Sequence, residues 1–409
     1  MRGDTAQASL SINGYVFYHS LLSLTGDFCQ QPFVDEKGKI VCLYNGELYN
    51  YKDLCDSLCC GQDIRSDGSI LIPAYKKFGE NFIEKLDGEF AIALFDYYNN
   101  TAIFSTDPFR TKPIYTNGKG AASYASGLRS KSFPLNPNTT RIINLKTGSY
   151  KDICVHNFIF GNERYMTYDY WIKAFETAVE KRAKDKSVFL CLSSGYDSGA
   201  IDCALNNLGI SRKTYTLLGY EDKETLKLRK ADALPFSKYD YEKSKKYLKD
   251  NMENFEYNIF GNRRSIVDED AAFGLAYIFS LAKIDGYNIH LSGQGADEII
   301  SDYGAHGRWD QQSDFKGTFP DKLAGPWRNF YGNCQEAYLA KEEHTGGTFA
   351  IETRYPFLDV NVVQEFLDLD SKLKNEYYKA PIHVYLTKNK YPFKVEKRGF
   401  HPLENGGKC

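Results

Sequence analysis

Two apolar runs, each stopping at a turn of small and acidic residues, constrain this chain more than anything else in it. The first is 187-SVFLCLS-193, which leads into Ser194, Gly195, Tyr196, Asp197 and Ser198. The second is 287-YNIHLS-292, which leads into 293-GQGADE-298. A continuous apolar run of this length, bounded by turn residues, reads as a strand buried on both faces in a parallel sheet. In such sheets ligands bind at the carboxyl ends of the strands. Helical spacing follows the first turn at 198–208, so its backbone N–H groups would sit at a helix N-terminus, where an anion is favoured. The hydroxyls of Ser193, Ser194 and Ser198 would add donors, and Gly195 allows close backbone approach. Asp197 repels phosphate, so a phosphate there implies a bridging Mg²⁺, to which Asp297 of the second turn could give another carboxylate. The plainer alternative is a pair of unrelated turns that cap helices.

Strand and helix alternate around these runs. Residues 167–184 are helical, 213-KTYTLLG-219 is a strand, 221–234 is a Lys-rich helical surface, 236–252 is a strand–helix step, and 271–285 is helical. This rhythm predicts a doubly wound α/β domain. Upstream it changes. Alternating or apolar runs at 40-IVCLYN-45, 90-FAIALFD-96 and 101-TAIFSTD-107 predict antiparallel strands. Residues 68–85 have helical spacing, with Leu71, Ala74, Tyr75, Phe78 and Phe82 on one face, and 132–141 reads as a loop. The first part is therefore α+β, with a domain boundary expected at 152–166.

The 409 residues carry a net charge of −2, which points to neither nucleic acid nor an anionic membrane as partner. No apolar run is long enough for a transmembrane helix, and the first residues lack the pattern of a signal peptide. Ten scattered cysteines without a CxxC pair predict reduced thiols and no zinc site. A cytoplasmic enzyme is the expectation.

The motifs carry a resemblance. SSGYDS is similar to the SGGxDS pyrophosphate loop of ATP-pyrophosphatase ligases, and SGQGADE to the SGEGADE segment of asparagine synthetases. In the same order come 351-IETRYPFLD-359, similar to ExRxPFLD, then Lys379 in 378-YKAPIH-383, then 396-EKRGF-400. Upstream, 45-NGELYNY-51, 66-SDGSILI-72, 86-LDGEFAIALFD-96 and 105-STDPFRTKPIY-115 resemble the glutaminase-type Ntn domain of those enzymes.

This resemblance implies an Ntn-type αββα sandwich over 1–155 and an ATP-pyrophosphatase domain over 165–409. It implies an amidoligase that adenylates the side-chain carboxylate of aspartate with ATP and Mg²⁺, then transfers ammonia, drawn from glutamine in complete relatives, to give asparagine, AMP and pyrophosphate. Leu192, Ser193, Ser194, Gly195, Asp197, Ser198, Leu218, Ser292 and Gly293 would bind ATP and pyrophosphate, and Asp197 and Asp297 would hold the metal. Lys379 would stabilise transition-state charge, with Glu352 and Arg354 alongside or paired structurally. Asn45, Gly46, Glu47 and Asp67 match a glutamine-binding set. Relatives are often dimers, which makes a homodimer a candidate assembly.

Three departures matter. Gln294 stands where the amide-forming relatives have a glutamate that is a candidate base for ammonia, and a glutamine takes no proton at neutral pH. Either another group serves or the chemistry differs. His383 replaces a usual arginine. Arg2, Gly3 and Asp4 resemble a segment that normally follows the glutaminase cysteine, so that cysteine and the first strand are expected to be missing, either because the chain is an N-terminally incomplete copy of a glutamine-dependent enzyme or because the glutaminase has degenerated to a scaffold with a vestigial glutamine set. The second reading is a related ligase for another carboxylate, such as a β-lactam-synthetase-like cyclase or a tailoring amidase.

Overall fold

A computed structural model describes residues 3–58, 64–259, 262–305, 308–309, 313–394 and Pro402. The segment 396–400 singled out in the sequence lies outside them. The chain divides into two compact units, Met1–Asn157 and Phe158–Cys409.

The first unit begins with a hairpin of β1 (Ala6–Ile12) and β2 (Tyr15–Leu21). Its turn is Asn13-Gly14, both at positive φ, the signature of a turn whose twist matches the flanking strands. Strands β3 (Phe33–Val34), β4 (Ile40–Leu48), β5 (Gly88–Asp96) and β6 (Thr101–Thr106) follow. A small three-stranded sheet contains β7 (Tyr115–Thr116), β8 (Ala121–Ala122) and β9 (Phe133–Pro134). Strands β10 (Thr139–Asn144) and β11 (Tyr150–Cys154) complete a six-stranded antiparallel sheet in the order β11-β10-β6-β5-β4-β3.

The two-residue period of these strands makes two cores. Ile40, Cys42, Tyr44, Ile92 and Leu94 pack against α1 (Tyr51–Leu58) and α2 (Leu71–Phe78) through Leu54, Leu71, Ala74 and Tyr75. Val41, Ala91, Ala93, Phe95 and Phe104 pack on the opposite face against Phe17, Ile114 and Leu135. The described layers are helix, sheet and smaller sheet, three of the four in an αββα sandwich. Two local expectations need correction. The helix expected over 68–85 is α2 flanked by 3₁₀ turns at Asp67–Ile70 and Gly79–Lys85. Gly79, at φ 59°, ends α2 and leaves Phe78 only half-buried. The loop expected at 132–141 contains β9 and the start of β10, because Thr140 onward pairs with β6.

In the second unit α3 (Asp169–Ala183) precedes β12 (Val188–Cys191), α4 (Tyr196–Asn207), β13 (Arg212–Leu217), α5 (Lys223–Leu228), β14 (Ala233–Leu234) and α6 (Lys238–Asn251). A hairpin of β15 (Glu256–Ile259) and β16 (Asn262–Ser265) comes before α7 (Asp270–Ile284) and β17 (Ile289–Leu291). After a short hairpin, β18 (Gly304–Ala305) and β19 (Arg308–Trp309), come α8 (Arg328–Tyr331), α9 (Cys334–Thr348) and β20 (Glu352–Arg354). The unit continues with α10 (Val360–Asp368), α11 (Ser371–Lys374) and α12 (Ala380–Lys388).

The five-stranded sheet is parallel throughout, in the order β14-β13-β12-β17-β20. Successive strands run outward from β12 to one edge and from β17 to the other. The order therefore reverses between β12 and β17, and the crevice beyond their carboxyl ends is the switch point where open α/β sheets bind ligands. The continuous apolar runs follow from this topology, since Phe189, Leu190, Ile289 and Leu291 are all buried.

The stretch expected to be a Lys-rich solvated helix at 221–234 is shorter and more committed. Only α5 is helical, and Thr225, Leu226 and Arg229 are buried beneath the lysines. No helix among the described residues is long and apolar enough to cross a membrane. The seven described cysteines are free, and Cys154 is exposed.

Candidate active site

The turn after β12 places Gly195 at the N-cap of α4, and no side chain caps that helix. A helix start without a side-chain cap is a place where an anion is favoured, as the phosphate reading requires. The hydroxyls are less available than the sequence suggested. Ser193 and Ser198 bond one another at 2.8 Å, and the Ser198 hydroxyl also accepts the Ser193 N–H at 3.0 Å. Ser194 gives both its N–H and its hydroxyl to Glu221, at 2.6 and 2.5 Å, and its oxygen accepts the N–H of Asp222 at 3.0 Å. The expectation of three free hydroxyl donors is thus corrected: Ser194 anchors the turn to the segment entering α5. Arg229 holds the other side, donating from Nη1 to the carbonyls of Ser193 and Gly195. Neither Glu221 nor Arg229 was legible in a stretch rich in lysine and glutamate.

Leu192 and Leu218 close the carboxyl ends of two strands. Leu192 is buried and donates its N–H to the Tyr215 carbonyl at 2.9 Å, while Leu218 accepts the N–H of Glu221 at 2.7 Å.

The second turn meets the first. Ser292, 2% exposed, donates its N–H to the Arg354 carbonyl and accepts the N–H of Gln294 at 3.1 Å. Gly293 lies against Asp197 so closely that a Cβ there would fall 2.8 Å from the Asp197 Cβ. The helix expected after this turn is a single π-helical turn, Asp297–Ser301. Buried Glu298 pins it by accepting the Gly295 N–H and the Tyr303 hydroxyl. Burial and the adjacent Asp297 push the Glu298 carboxyl up to about 7.

Lys379 joins the turns. Its Nζ lies 2.6 and 2.7 Å from the two oxygens of Asp197 and 3.0 Å from Asp297. The Lys379 side chain is 2% exposed, the aspartates 25% and 22%. Lys379 sits at the N-cap of α12 in the left-handed region, at φ 49°. Both features are unfavourable, since a helix N-terminus repels a cation and a non-glycine residue pays for positive φ. Burial also opposes its charge, yet Asp197 and Asp297 outweigh it and hold the ammonium well above its ordinary pKa. Tyr378 donates to Asp297 at 3.1 Å.

Two carboxylates at one point, beside an uncapped helix start, fit a Mg²⁺ held by one or two carboxylates with the remainder supplied by phosphate. No cluster of three or more metal-binding side chains exists among the described residues.

The other predicted residues lie apart from this cluster in their described contacts. Arg354 Nε pairs with Glu352 at 2.8 Å, and Arg354 Nη1 donates to the Arg182 carbonyl in the last turn of α3. In the first unit, Asp67 accepts the Tyr44 hydroxyl and the Leu48 N–H, and Glu47 accepts the Thr25 hydroxyl at 2.6 Å. Gly46, at φ 143°, approaches the Glu89 carbonyl too closely for any side chain. Asn45 lines a cavity of about 350 Å³, and its buried Nδ2 has no hydrogen-bond partner among the described residues.

One neighbour of the second turn was not foreseen. Glu342, from the middle of α9, is 7% exposed. Burial pushes its carboxyl up to about 7, against the downward pull of the Ser292 hydroxyl, Lys341 and the Gln294 side chain. His383 stacks on Tyr377 at 4.2 Å and meets the Tyr196 hydroxyl at 3.1 Å.

Residues 1–147 match the glutamine amidotransferase domain family and residues 171–345 the asparagine synthase family. A Methanocaldococcus jannaschii protein named as an asparagine synthetase [glutamine-hydrolyzing] is 27% identical over 391 residues, covering 87% of this chain and 69% of that one. Asparagine synthetase [glutamine-hydrolyzing] 2 of Arabidopsis thaliana is 24% identical over 388 residues, 88% of this chain and 64% of that one. The chain thus spans about two-thirds of the length of these relatives. Among solved structures, the glutamine phosphoribosylpyrophosphate amidotransferase of B. subtilis covers 95% of this chain and 85% of its own, at 13% identity and a TM-score of 0.29. Two family matches thus fall in tandem over the two units, a glutamine amidotransferase domain followed by an asparagine synthase domain, and the relatives named as glutamine-hydrolysing asparagine synthetases match over most of the chain.

Proposed function

We propose that this chain adenylates a carboxylate with ATP and releases an amide after attack by ammonia, with the side chain of aspartate as acceptor. Residues 1–155 would be the glutaminase-type domain and 165–409 the ATP-pyrophosphatase domain. The observation that carries the reading is the convergence of Asp197, Asp297 and Lys379 at the reversal between β12 and β17. The N-terminus of α4 would bind the phosphates leaving as pyrophosphate, with Leu192, Leu218, Ser292 and Gly293 around the nucleotide. Asp197 and Asp297 would hold Mg²⁺, which would supply charge neutralisation for the phosphates. Lys379, held charged by both aspartates, would give a fixed positive group to the charge that develops as the adenylate forms and collapses. The Ser194–Glu221 and Arg229–carbonyl contacts keep the turn rigid, so less reorganisation is needed at the moment of reaction.

The test is purified chain with ATP, Mg²⁺ and aspartate, supplied with nitrogen-15 ammonia or amide-labelled glutamine, and read by mass spectrometry. Labelled asparagine with AMP and pyrophosphate supports the reading, and the donor that delivers the label identifies the nitrogen source. Absence of asparagine together with pyrophosphate release on another carboxylate would favour the second reading, a ligase with a different acceptor. Gln294 and His383, both beside the site, are the residues that speak for it.

A further inference from the structure

Arg229, at the C-cap of α5, is a cation only 8% exposed. Among the described residues its hydrogen bonds all go to main-chain carbonyls: Nη1 donates to Ser193 at 2.5 Å and to Gly195 at 3.0 Å, and Nε to Pro392 at 2.9 Å. Its Nη2 has no hydrogen-bond partner among them, and its Cζ lies 5.0 Å from the centre of the Tyr391 ring. No described carboxylate forms an ion pair with it; Asp202 is held by Arg212 and the Tyr391 hydroxyl, and Glu221 by Ser194.

Burying a cation without a counter-ion is costly, and the partners that offset the cost here are concentrated on the turn after β12. The sequence also makes room for it. Gly199 lies in α4, and a Cβ there would fall 2.3 Å from Arg229 Nη2 and 2.7 Å from its Cζ. In a trans peptide the carbonyl and the next N–H point opposite ways. Carbonyls of Ser193 and Gly195 turned to Arg229 therefore turn the N–H groups of Ser194 and Tyr196 away from it. The first goes to Glu221, and the second opens α4.

Resting on the ligase reading above, we propose that Arg229 is a positioning residue for the phosphates of ATP: it holds the turn with these two carbonyls behind it and keeps a positive charge beside the N-terminus of α4. A Gly195 carbonyl rotated the other way would turn its oxygen toward the polyphosphate and the Tyr196 N–H away, exchanging attraction for repulsion. Arg229 opposes that rotation by bonding both carbonyls at once. Its charge adds to the partial positive charge of the helix start. Burial against Tyr391 and Pro392 limits screening of that charge by water. Arg229 touches no phosphate itself and acts through the peptides it holds.

Two variants separate this role from a structural one. Arg229→Met removes the charge and the donors while keeping most of the volume. Gly199→Ala drives a methyl group into the guanidinium, the free end of a side chain that can move aside, while alanine itself suits a helix better than glycine. Binding of inorganic pyrophosphate with Mg²⁺, and of adenosine, is measured by calorimetry, with urea unfolding alongside. Both variants should bind pyrophosphate about tenfold more weakly or worse, the scale of one charge-assisted interaction, and adenosine within about twofold of the unaltered chain. In ATP–pyrophosphate exchange, which reports adenylation, KM for pyrophosphate should rise more than kcat falls. Gly199→Ala should add nothing to Arg229→Met in the double variant, because the group it displaces is gone.

Pyrophosphate binding that is unchanged in the variants, or lost in step with adenosine binding, overturns the proposal, as does an unaltered chain that binds no pyrophosphate. Should Arg229→Met not fold, Gly199→Ala still decides, since it leaves the arginine in the chain. Pyrophosphate binding that follows the expected pattern without exchange on any carboxylate would support the role of Arg229 and sink instead the ligase reading beneath it.

Discussion

Lys379 and Asp197, separated by 182 positions in the chain, form a two-pronged ion pair in which one ammonium touches both oxygens of one carboxylate, at 2.6 and 2.7 Å. The same ammonium reaches Asp297. Three segments of the second unit are fixed to one another at this point.

Replacing Lys379 with methionine keeps most of its volume and removes the charge. Asp197 and Asp297 would then face one another uncompensated. Because both keep about a quarter of their surface, the penalty should fall below the 3–5 kcal/mol of a fully buried broken pair, at about 2 kcal/mol in urea unfolding. Pyrophosphate exchange should drop by about 1,000-fold, and Mg²⁺ should raise the melting temperature of this variant more than that of the unaltered chain. Equal Mg²⁺ shifts would show that the aspartates do not form a cation site.

Gly293→Ala inserts a methyl group 2.8 Å from the Asp197 Cβ. The nearest atom belongs to the root of a side chain, so it cannot swing away. Overpacking of this kind costs about 1–3 kcal/mol, and displacement of Asp197 should lower exchange by about tenfold or more. A variant with unaltered exchange would mean that the two turns shift apart without consequence.

His290 sets a pH dependence of stability. Its ring lies between Phe189 and Phe279, and neither nitrogen has a hydrogen-bond partner among the described residues. Burial lowers its pKa from 6.5 to about 3. In that window the unfolded chain binds the proton and the folded chain does not, so stability declines as pH falls below about 6.5, by up to about 1.4 kcal/mol per pH unit, until the folded ring itself protonates. Chemical denaturation from pH 7 to 4 should show this slope, and His290→Phe should flatten it. An unchanged slope in the variant would assign the pH dependence to other groups.

Glu352 and Arg354 should prove structural. Arg354 is 1% exposed and bonds Glu352 and the Arg182 carbonyl. Arg354→Met leaves a largely buried carboxylate and a helix-end carbonyl without their partner, at a cost of about 3 kcal/mol in unfolding experiments. Exchange per folded molecule should remain within about tenfold, and a deeper loss at intact stability would assign the pair to catalysis.

The acidic turns were legible because their chemistry is local. Ser193 to Ser198 and Ser292 to Asp297 each follow an apolar strand, and strand period and turn composition need only a few adjacent residues. The supports of those turns were not. Glu221 and Arg229 look like any members of a charged surface stretch, and Glu342 like one more acid in 341-KEEH-344. Charge pattern alone does not say which face of a helix is covered. The helix expected over 68–85 and the one after Asp297 failed for a related reason. Side-chain spacing was right, but Gly79 in one and the pinned Glu298 in the other change the backbone path.

The sequence by itself determined the buried strands before the two acidic turns, the turns themselves and the family resemblance, because these are written in short-range periodicity and contiguous motifs. Tertiary structure decided the rest. It put Lys379 between two aspartates, tied the Ser194 hydroxyl to Glu221 and set Arg229 on the carbonyls of Ser193 and Gly195. Each depends on side chains far apart in the chain that the strand order of the sheet brings together, and no local rule of propensity or spacing encodes which of them will meet.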